Sequence, residues 1–483
     1  MPEKKPNIIW ITDDQHRYDS LGCSGNNVVA TPNLDALASG GVRFANCFTV
    51  SPVCAATRAS FLTGRRPHIH GMLSNGFSMS SNEVWWSEII SNAGYRTACI
   101  GKLHLEPWND PHGWDYRFIV EGKDFLLGDD EYAKFCKSKY GFRRPREKYS
   151  ERGLRMFNPM LSEVPYEDFI DKFITDRALR YLDDTKDDER PLALHISLVS
   201  PHHPLDPPKE YYGKYKDKPV PRHVYDPSEK IAKPETQSGF MQFPEFSSEN
   251  VRQHAWRSYY GLVTLVDDQV GRIIAKLKET GRYDNSIIIF TTDHGEMLYD
   301  HGLFDKAFFL YDAVTHVPLI ISSPSRLPKG KKCDAFVQNF DIVATTLAAA
   351  GLDVPESMSS KNLLPLIEGK TEKIRDFVVT EHFNIRSIRT AEAKLVFYAN
   401  REYGELYDLM KDPDELVNLW DESSCASLKR DLTHKLLDWS IFSTDGRFRE
   451  WEVPTNKGEY TGYLRDHDDT MKHYLPKSKW KEE

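Results

Sequence analysis

Residues 54–65 read Cys54-Ala-Ala-Thr-Arg58-Ala-Ser-Phe-Leu-Thr63-Gly64-Arg65. A thiol at the first position of a helix faces unsatisfied backbone N–H groups and the positive end of the helix dipole, which together favour a bound anion or an oxyanion. Arg58, four residues on, lies one turn away on the same face, where its guanidinium can hydrogen-bond residue 54 or a tetrahedral anion. Ala59, Phe61 and Leu62 supply a packing face, and Thr63-Gly64 is a helix stop. A single cysteine is more often an ordinary buried thiol than a reactive one, so the reading of Cys54 depends on what the flanking segments bring to it.

Upstream, Asn7 to Thr12 is a short apolar run of the kind that forms a buried parallel strand, and it ends on Asp13-Asp14. Carboxylates at the carboxyl end of such a strand stand where open α/β sheets collect their ligands. Downstream, Ser286 to Thr292 is a second strand of the same kind, closed by Asp293-His294-Gly295-Glu296. These two acidic strand ends lie about 280 residues apart in the chain. Asp13, Asp14 and Asp293 offer oxygen ligands to a hard divalent cation, and His294 offers a further nitrogen donor.

Between and beyond these ends the chain alternates strands and helices. Thr31 and Pro32 predict a helix start, as N-cap and first helical residue. Helices are expected at Val84–Ala93, Tyr166–Asp184, Val251–Thr280 and Asp334–Ala350, and strands at Arg96–Ile100, Pro191–Val199 and Val317–Ser322. Lys102 and His104, two apart on an extended segment, point the same way. Such a pair suits an anion and a proton transfer. The basic cluster at Arg143, Arg144, Arg146 and Lys148 reads as a solvated face. Residues 121–165 and 204–250 read as surface excursions of the kind that carry specificity. Beyond residue 373, Asp376–Thr380, Ser387–Thr390 and Lys394–Ala399 are short strand-like runs, and Phe448–Glu483 is a polar, aromatic tail without a pattern.

Taken together these segments resemble the type I, formylglycine-dependent sulfatases of the alkaline phosphatase superfamily. The signature there is Cys or Ser, any residue, Pro or Ala, any residue, Arg, and this chain has Ala56 at the third position. Gly101-Lys102-Leu103-His104, Pro201-His202-His203-Pro204, and the segment from His301 to Lys306 resemble further family motifs, as does Glu405–Leu409 followed by Asp412-Pro413 and Asn418-Leu419.

The resemblance implies an α/β, alkaline-phosphatase-like large mixed sheet flanked by helices over residues 1–372. A smaller C-terminal α+β subdomain with an antiparallel sheet and tail would occupy 373–483. It implies that Cys54 is oxidised to formylglycine by a formylglycine-generating maturation enzyme, and that a divalent cation, most often Ca2+ with Mn2+ as the other option, sits on Asp13, Asp14, residue 54, Asp293 and His294. Lys102, Lys306 and Arg58 would then offset charge on the sulfuryl oxygens. His202, helped by Lys306, would protonate the leaving alcohol, His104 would take the proton during sulfate release, and Asn75 would contact substrate. The implied function is hydrolysis of a small anionic sulfate ester. Two alternatives stay open: a phosphonate monoester or phosphodiester hydrolase of the same superfamily, and a non-catalytic metal- and anion-binding relative. The phosphoryl relatives tend to have Tyr and Thr where this chain has Lys102 and His104, although they share His294.

Bulk properties set outer limits. The chain has 483 residues, 40% of them hydrophobic and 28% charged, with a net charge of −9, so neither nucleic acid nor an anionic membrane is an expected partner. Seven cysteines without framework spacing read as reduced thiols. With a strand reached at once after Met1 and no long apolar run, the expected compartment is the cytoplasm. Nothing in the sequence specifies an oligomer.

Overall fold

The computed structural model describes residues 4–79, 83–108, 110–122, 130–151, 158–226, 229, 237 and 248–444. Parts of both expected specificity loops, and the tail from Phe448 to Glu483, lie outside these residues.

The main sheet has eight strands: β1 (Asn7–Asp14), β2 (Gly41–Phe48), β3 (Arg96–Gly101), β4 (Tyr116–Ile119), β5 (Leu192–Pro201), β6 (Ser286–Thr292), β7 (Leu319–Ser322) and β8 (Lys331–Gln338). They lie in the order β4-β3-β5-β1-β6-β7-β2-β8. The pairings are parallel except that β7 runs antiparallel to β6 and β2, which makes the sheet mixed.

Strand β1 shows why the sheet is covered on both sides. All eight of its residues are buried, and successive side chains of a strand point to opposite faces. Ile9 and Ile11 join one core with helices α1 (Pro32–Ser39), α3 (Ile170–Asp184) and α4 (Glu249–Glu279). Ile8 and Trp10 join the other core with α2 (Cys54–Thr63) and α5 (Ile342–Ala349). Trp10 packs on Trp86 at a ring distance of 4.5 Å and donates its indole N–H to Thr346 Oγ1 at 2.9 Å. Truncating a buried tryptophan of this kind costs about 3–5 kcal/mol.

A second sheet, β12-β11-β10-β9, comprises β9 (Val378–His382), β10 (Ile385–Arg389), β11 (Ala393–Tyr398) and β12 (Gly404–Asp408), all antiparallel. Helix α6 (Ala426–Phe442) covers it through Leu432 and Leu436. Polar ties hold it to the main body, two of them buried. Glu381 N donates to Val50 O at 2.9 Å, and buried Lys394 lies between Asp312 (2.8 Å) and Glu415 (2.7 Å).

Two sequence expectations differ from the structure, and a third holds with a different hydrogen bond. Residues 334–338 belong to β8, because Cys333, Ala335 and Val337 alternate inward with period two, and the helix begins only at Ile342. Thr31 stands at the N-cap of α1 and Pro32 at its first position, as the sequence predicts, but the Thr31 hydroxyl does not bond the helix backbone. Its hydroxyl accepts from Gly22 N and donates to Asp35 Oδ1. Arg144 is buried in a two-bond pair with Asp130 and is not part of a solvated face.

Candidate active site

The carboxyl ends of β1, β5 and β6 meet side by side, with Asp13 opposite Thr292 and Asp14 opposite Pro201. Helix α2 points its first residue at this edge. Cys54 Sγ lies 3.1 Å from His294 Nε2 and 3.8 Å from Asp14 Oδ1. The ligand atoms of Asp14, Cys54, Asp293 and His294 all lie within 4.8 Å of one another, and all four residues are buried. Burial foremost, then the neighbouring Asp14 charge, pushes the Cys54 thiol up to about 12. An unmodified Cys54 is therefore a protonated thiol and a poor nucleophile.

His294 is set to present a lone pair to this point. Its Nδ1 lies 2.9 Å from Gly295 O, a group that can only accept, so the ring proton is at Nδ1 and Nε2 is bare. Burial lowers its pKa and keeps the ring neutral.

Asp13, expected beside Asp14, is outside this group. It shares the face of Ile9 and Ile11, opposite that of Asp14, and its Oδ2 lies 2.5 Å from His16 Nδ1. Burial raises its pKa, partly offset by His16, and its Oδ1 is buried without a hydrogen-bond partner.

Arg58 ties the two strand ends together. Its Nε donates to Asp293 Oδ2 at 2.8 Å, Nη1 to Lys102 O and Ser197 Oγ, and Nη2 to Asp14 Oδ2 and Asp13 O. Those five bonds use all five guanidinium donors, so none is left for residue 54 or for a tetrahedral anion as the sequence suggested. Lys102 Nζ lies 2.7 Å from Asp14 Oδ2. Burial alone would raise the Asp14 pKa, but Lys102, with Arg58 and Lys306, holds it well below the usual carboxylate range.

Across from Cys54, Lys306 Nζ lies 2.8 Å from His202 Nε2. His202 Nδ1 donates to His203 O at 2.6 Å, so Nε2 is the acceptor and the ammonium is the donor. Burial, then Lys306 and His203, push the His202 imidazole well below its ordinary value. Burial opposes the charge on Lys306, yet the Asp305 and Asp14 carboxylates around it raise its pKa. The mobile proton at this corner therefore rests on Lys306, with His202 as its neutral partner.

His104 and Asn75 stand on the other side of Cys54. Asn75 Oδ1 accepts from Ala55 N at 3.3 Å. Both residues line a cavity of about 200 Å3 with Ala55, Met72, Phe77 and Glu106. His104 is not on an extended segment: β3 ends at Gly101, and His104 has φ 54°. Its N–H donates to Glu121 Oε2 at 2.9 Å, and its Nδ1 is buried without a partner. Burial, then Lys102, depress its pKa well below the usual value.

Sequence reasoning missed Gln15 and Glu296. Gln15 adopts φ 70°, which swings its side chain back into the site. Gln15 Oε1 accepts from Lys306 Nζ and Nε2 bonds Glu296 Oε2, while Gln15 N donates to Asp293 Oδ1 at 3.1 Å. The signal was adjacency, since each extends an acidic strand end by one or two residues. A second set of grouped donors, His203, Glu296 and Asp305, surrounds this same Gln15 amide.

Comparison with known proteins places these features. The family model described as Sulfatase matches residues 6–352, and the model described as N-sulphoglucosamine sulphohydrolase, C-terminal, matches residues 299–441. An arylsulfatase of Clostridium perfringens (strain 13 / Type A) is 33% identical over 439 residues, covering 86% of this chain and 90% of that protein. An N-acetylglucosamine-6-O-sulfatase of Bacteroides thetaiotaomicron is 29% identical over 513 residues, covering 94% and 90%. Among solved structures, the phosphonate monoester hydrolase of Agrobacterium radiobacter aligns with a TM-score of 0.81 at 25% identity, covering 94% of this chain and 99% of that one. Among the described residues, no helix is long and apolar enough to cross a membrane.

Proposed function

The chain belongs to the sulfatase family, and from that premise we propose that it hydrolyses a sulfate monoester at the edge where β1, β5 and β6 end, with residue 54 as formylglycine beside a divalent cation. The observation that carries this reading is the convergence of Asp14, Cys54, Asp293 and His294 within 4.8 Å, opposite the proton held by Lys306 at 2.8 Å from His202.

The donor set fits a cation. Two carboxylates and one imidazole with its lone pair turned inward suit Ca2+ or Mn2+, and Gln15 Oε1 is one more oxygen at the same edge. When bound there, the cation would offset charge on sulfuryl oxygens and acidify a hydroxyl on residue 54. As formylglycine, residue 54 would offer a hydrated aldehyde, with one hydroxyl to attack sulfur and a second to drive sulfate release. A dedicated maturation enzyme is the implied partner, because the thiol at residue 54 has no second hydroxyl.

The chain's own residues do the rest. Lys102 and Lys306 place two ammonium groups against the sulfuryl oxygens in a buried site, where their charges are least screened. As the S–O bond breaks, the electron pair goes to the ester oxygen, which takes a proton from the Lys306–His202 pair. His104, neutral and with Nδ1 unengaged, is the acceptor for the proton lost during sulfate release. Arg58 acts through Asp14 and Asp293 by fixing where their oxygens point. All seven cysteines are unpaired, which supports a reducing compartment such as the cytoplasm.

The second reading is a phosphonate monoester or phosphodiester hydrolase, favoured by the 0.81 TM-score to such an enzyme. Lys102 and His104 favour sulfate. The deciding experiment is peptide mass spectrometry across Cys54 on protein made with an active maturation enzyme, followed by paired aryl sulfate and phosphonate ester assays. An aldehyde at residue 54 with faster sulfate turnover is the expected result. A thiol that persists under those conditions would leave the scheme without a nucleophile.

A further inference from the structure

Edge strand β4 ends at Ile119, beside Gly101 of β3, and Val120 N donates to Gly101 O at 3.1 Å. The chain is thereby delivered alongside the loop that leaves β3, and the next side chain, Glu121, is buried there. Its Oε2 accepts the backbone N–H of His104 at 2.9 Å. Glu121 is itself anchored from behind, since its own N–H donates to Asp130 Oδ2 at 2.5 Å. Asp130 Oδ1 caps the helix Glu131–Tyr140 by accepting from Ala133 N at 2.8 Å, and Arg144 holds both oxygens of Asp130. A continuous run of bonds thus joins Arg144, Asp130, Glu121 and His104.

The tie falls where the loop is strained. His104 has φ 54°, a left-handed conformation that a residue with a Cβ holds only when its surroundings fix it. On either side the loop is pinned by other bonds, Arg58 Nη1 to Lys102 O and Met79 N to Glu106 O, both at 3.0 Å. Glu121 pins His104 itself. A backbone carbonyl would serve a plain turn at less cost, whereas burial pushes this carboxyl up to about 7. What the bond secures is the direction in which the imidazole leaves the chain, because φ is the rotation that carries Cβ around the N–Cα bond.

We propose that Glu121 is a positioning residue for the second half of the reaction: through the His104 N–H it holds the imidazole where it takes the proton that releases sulfate. The inference rests on the sulfatase reading and adds what sets its release step. In that reading the alcohol leaves first, protonated by the Lys306–His202 pair. Sulfate leaves second: the remaining hydroxyl of residue 54 gives its proton to His104, the O–H electron pair forms the C=O, and the C–O bond to sulfate breaks with its pair on the sulfate oxygen. Glu121 acts on the second of these steps, because the residue it bonds is His104.

The test compares matured full-length parent, Glu121→Ala and Glu121→Gln on 4-nitrophenyl sulfate, in steady state and by stopped flow. The ratio kcat/KM ends with departure of the nitrophenol, while kcat includes release. Glu121→Ala should lower kcat and KM together by about tenfold or more, the loss that a small misplacement brings, and leave kcat/KM within about twofold of the parent. A burst of nitrophenol, one for each aldehyde, should precede its slow turnover. Glu121→Gln keeps an acceptor oxygen for the His104 N–H and should restore at least about half of kcat. Should Glu121→Ala fail to fold, Glu121→Asp, which draws the carboxylate back by one methylene, should show the same pattern. Equal losses in kcat and kcat/KM, with no burst, would make Glu121 a support of the whole site and overturn the proposal. So would an unchanged kcat in the alanine variant, or a glutamine variant as slow as the alanine one. A matured parent that turns over no sulfate ester would bring down the sulfatase reading, and an active parent whose variants show no burst would bring down the positioning role alone.

Discussion

Replacing Arg58 by alanine separates the structural role of its guanidinium from that of the cation beside it. Arg58 is 2% exposed and, among the described residues, is the only cation bonded to Asp293 Oδ2, at 2.8 Å, while Asp14 keeps Lys102 at 2.7 Å. Its loss therefore leaves Asp293 as a buried carboxylate answered only by backbone N–H groups of Gln15 and His294. Removing one partner of a buried pair costs about 3–5 kcal/mol. At about 2 °C per kcal/mol for a large domain, Arg58→Ala should lower the melting temperature by roughly 6–10 °C in EDTA. A divalent cation on Asp14, Asp293 and His294 would supply the missing charge, so in excess Ca2+ the loss should shrink to half or less. Differential scanning calorimetry of parent and variant in EDTA and in Ca2+ makes the four measurements. Equal losses in both buffers would show that no cation shares the charge of these carboxylates and would refute the argument.

Two further outcomes follow from backbone and burial. Gly101 has φ 112°, and a Cβ there would lie 1.9 Å from Ser197 O, the same carbonyl that accepts from Lys102 N at 2.9 Å. Gly101→Ala should cost more than about 3 kcal/mol and, where protein is recovered, reduce turnover through a displaced Lys102, read by thermal melting and aryl sulfate assay. His70, whose Nδ1 accepts from Met72 N and whose Nε2 faces Ser60 Oγ, is pushed by burial down to about 3. The unfolded chain therefore takes up this proton first, and His70 withdraws stability as pH falls through about 6.5. Between pH 8 and pH 5 the stability gap between parent and His70→Gln should close by roughly 2 kcal/mol in urea titrations, and a gap constant with pH would show that His70 is protonated in the fold.

Sequence carried the scaffold further than it carried the details of the site. The runs Asn7–Thr12 and Ser286–Thr292 are apolar on both faces, so their strands and their shared acidic edge are legible from residue pattern alone. The Asp pair shows a detail of the site that the sequence left open. Strand alternation sends Asp13 and Asp14 to opposite faces, and only Asp14 meets Cys54. Gln15 was illegible because its side chain returns to the site through a positive φ, which no periodicity announces. Lys102 and His104 do border the same site, but His104 arrives there through a left-handed turn and not by the extended geometry assumed for it. Arg144 looked like one member of a basic run, since its partner Asp130 lies fourteen residues earlier. Asp334–Gln338 looked helical because Phe336 puts an apolar side chain between Ala335 and Val337 and hides the alternation that places the run in β8.

The burial of α2 has a consequence in time. All ten of its residues are enclosed in the finished fold, and Cys54 retains none of its surface. Asp293 is made 239 residues after Cys54, which at 5–20 residues per second is an interval on the order of 10–50 s. Until β6 is synthesised and takes its place beside β1, nothing can close this edge of the sheet. The oxidation proposed for Cys54 would thus have to precede closure of this edge, and the speed of folding, more than any affinity, would decide what fraction of molecules is able to react.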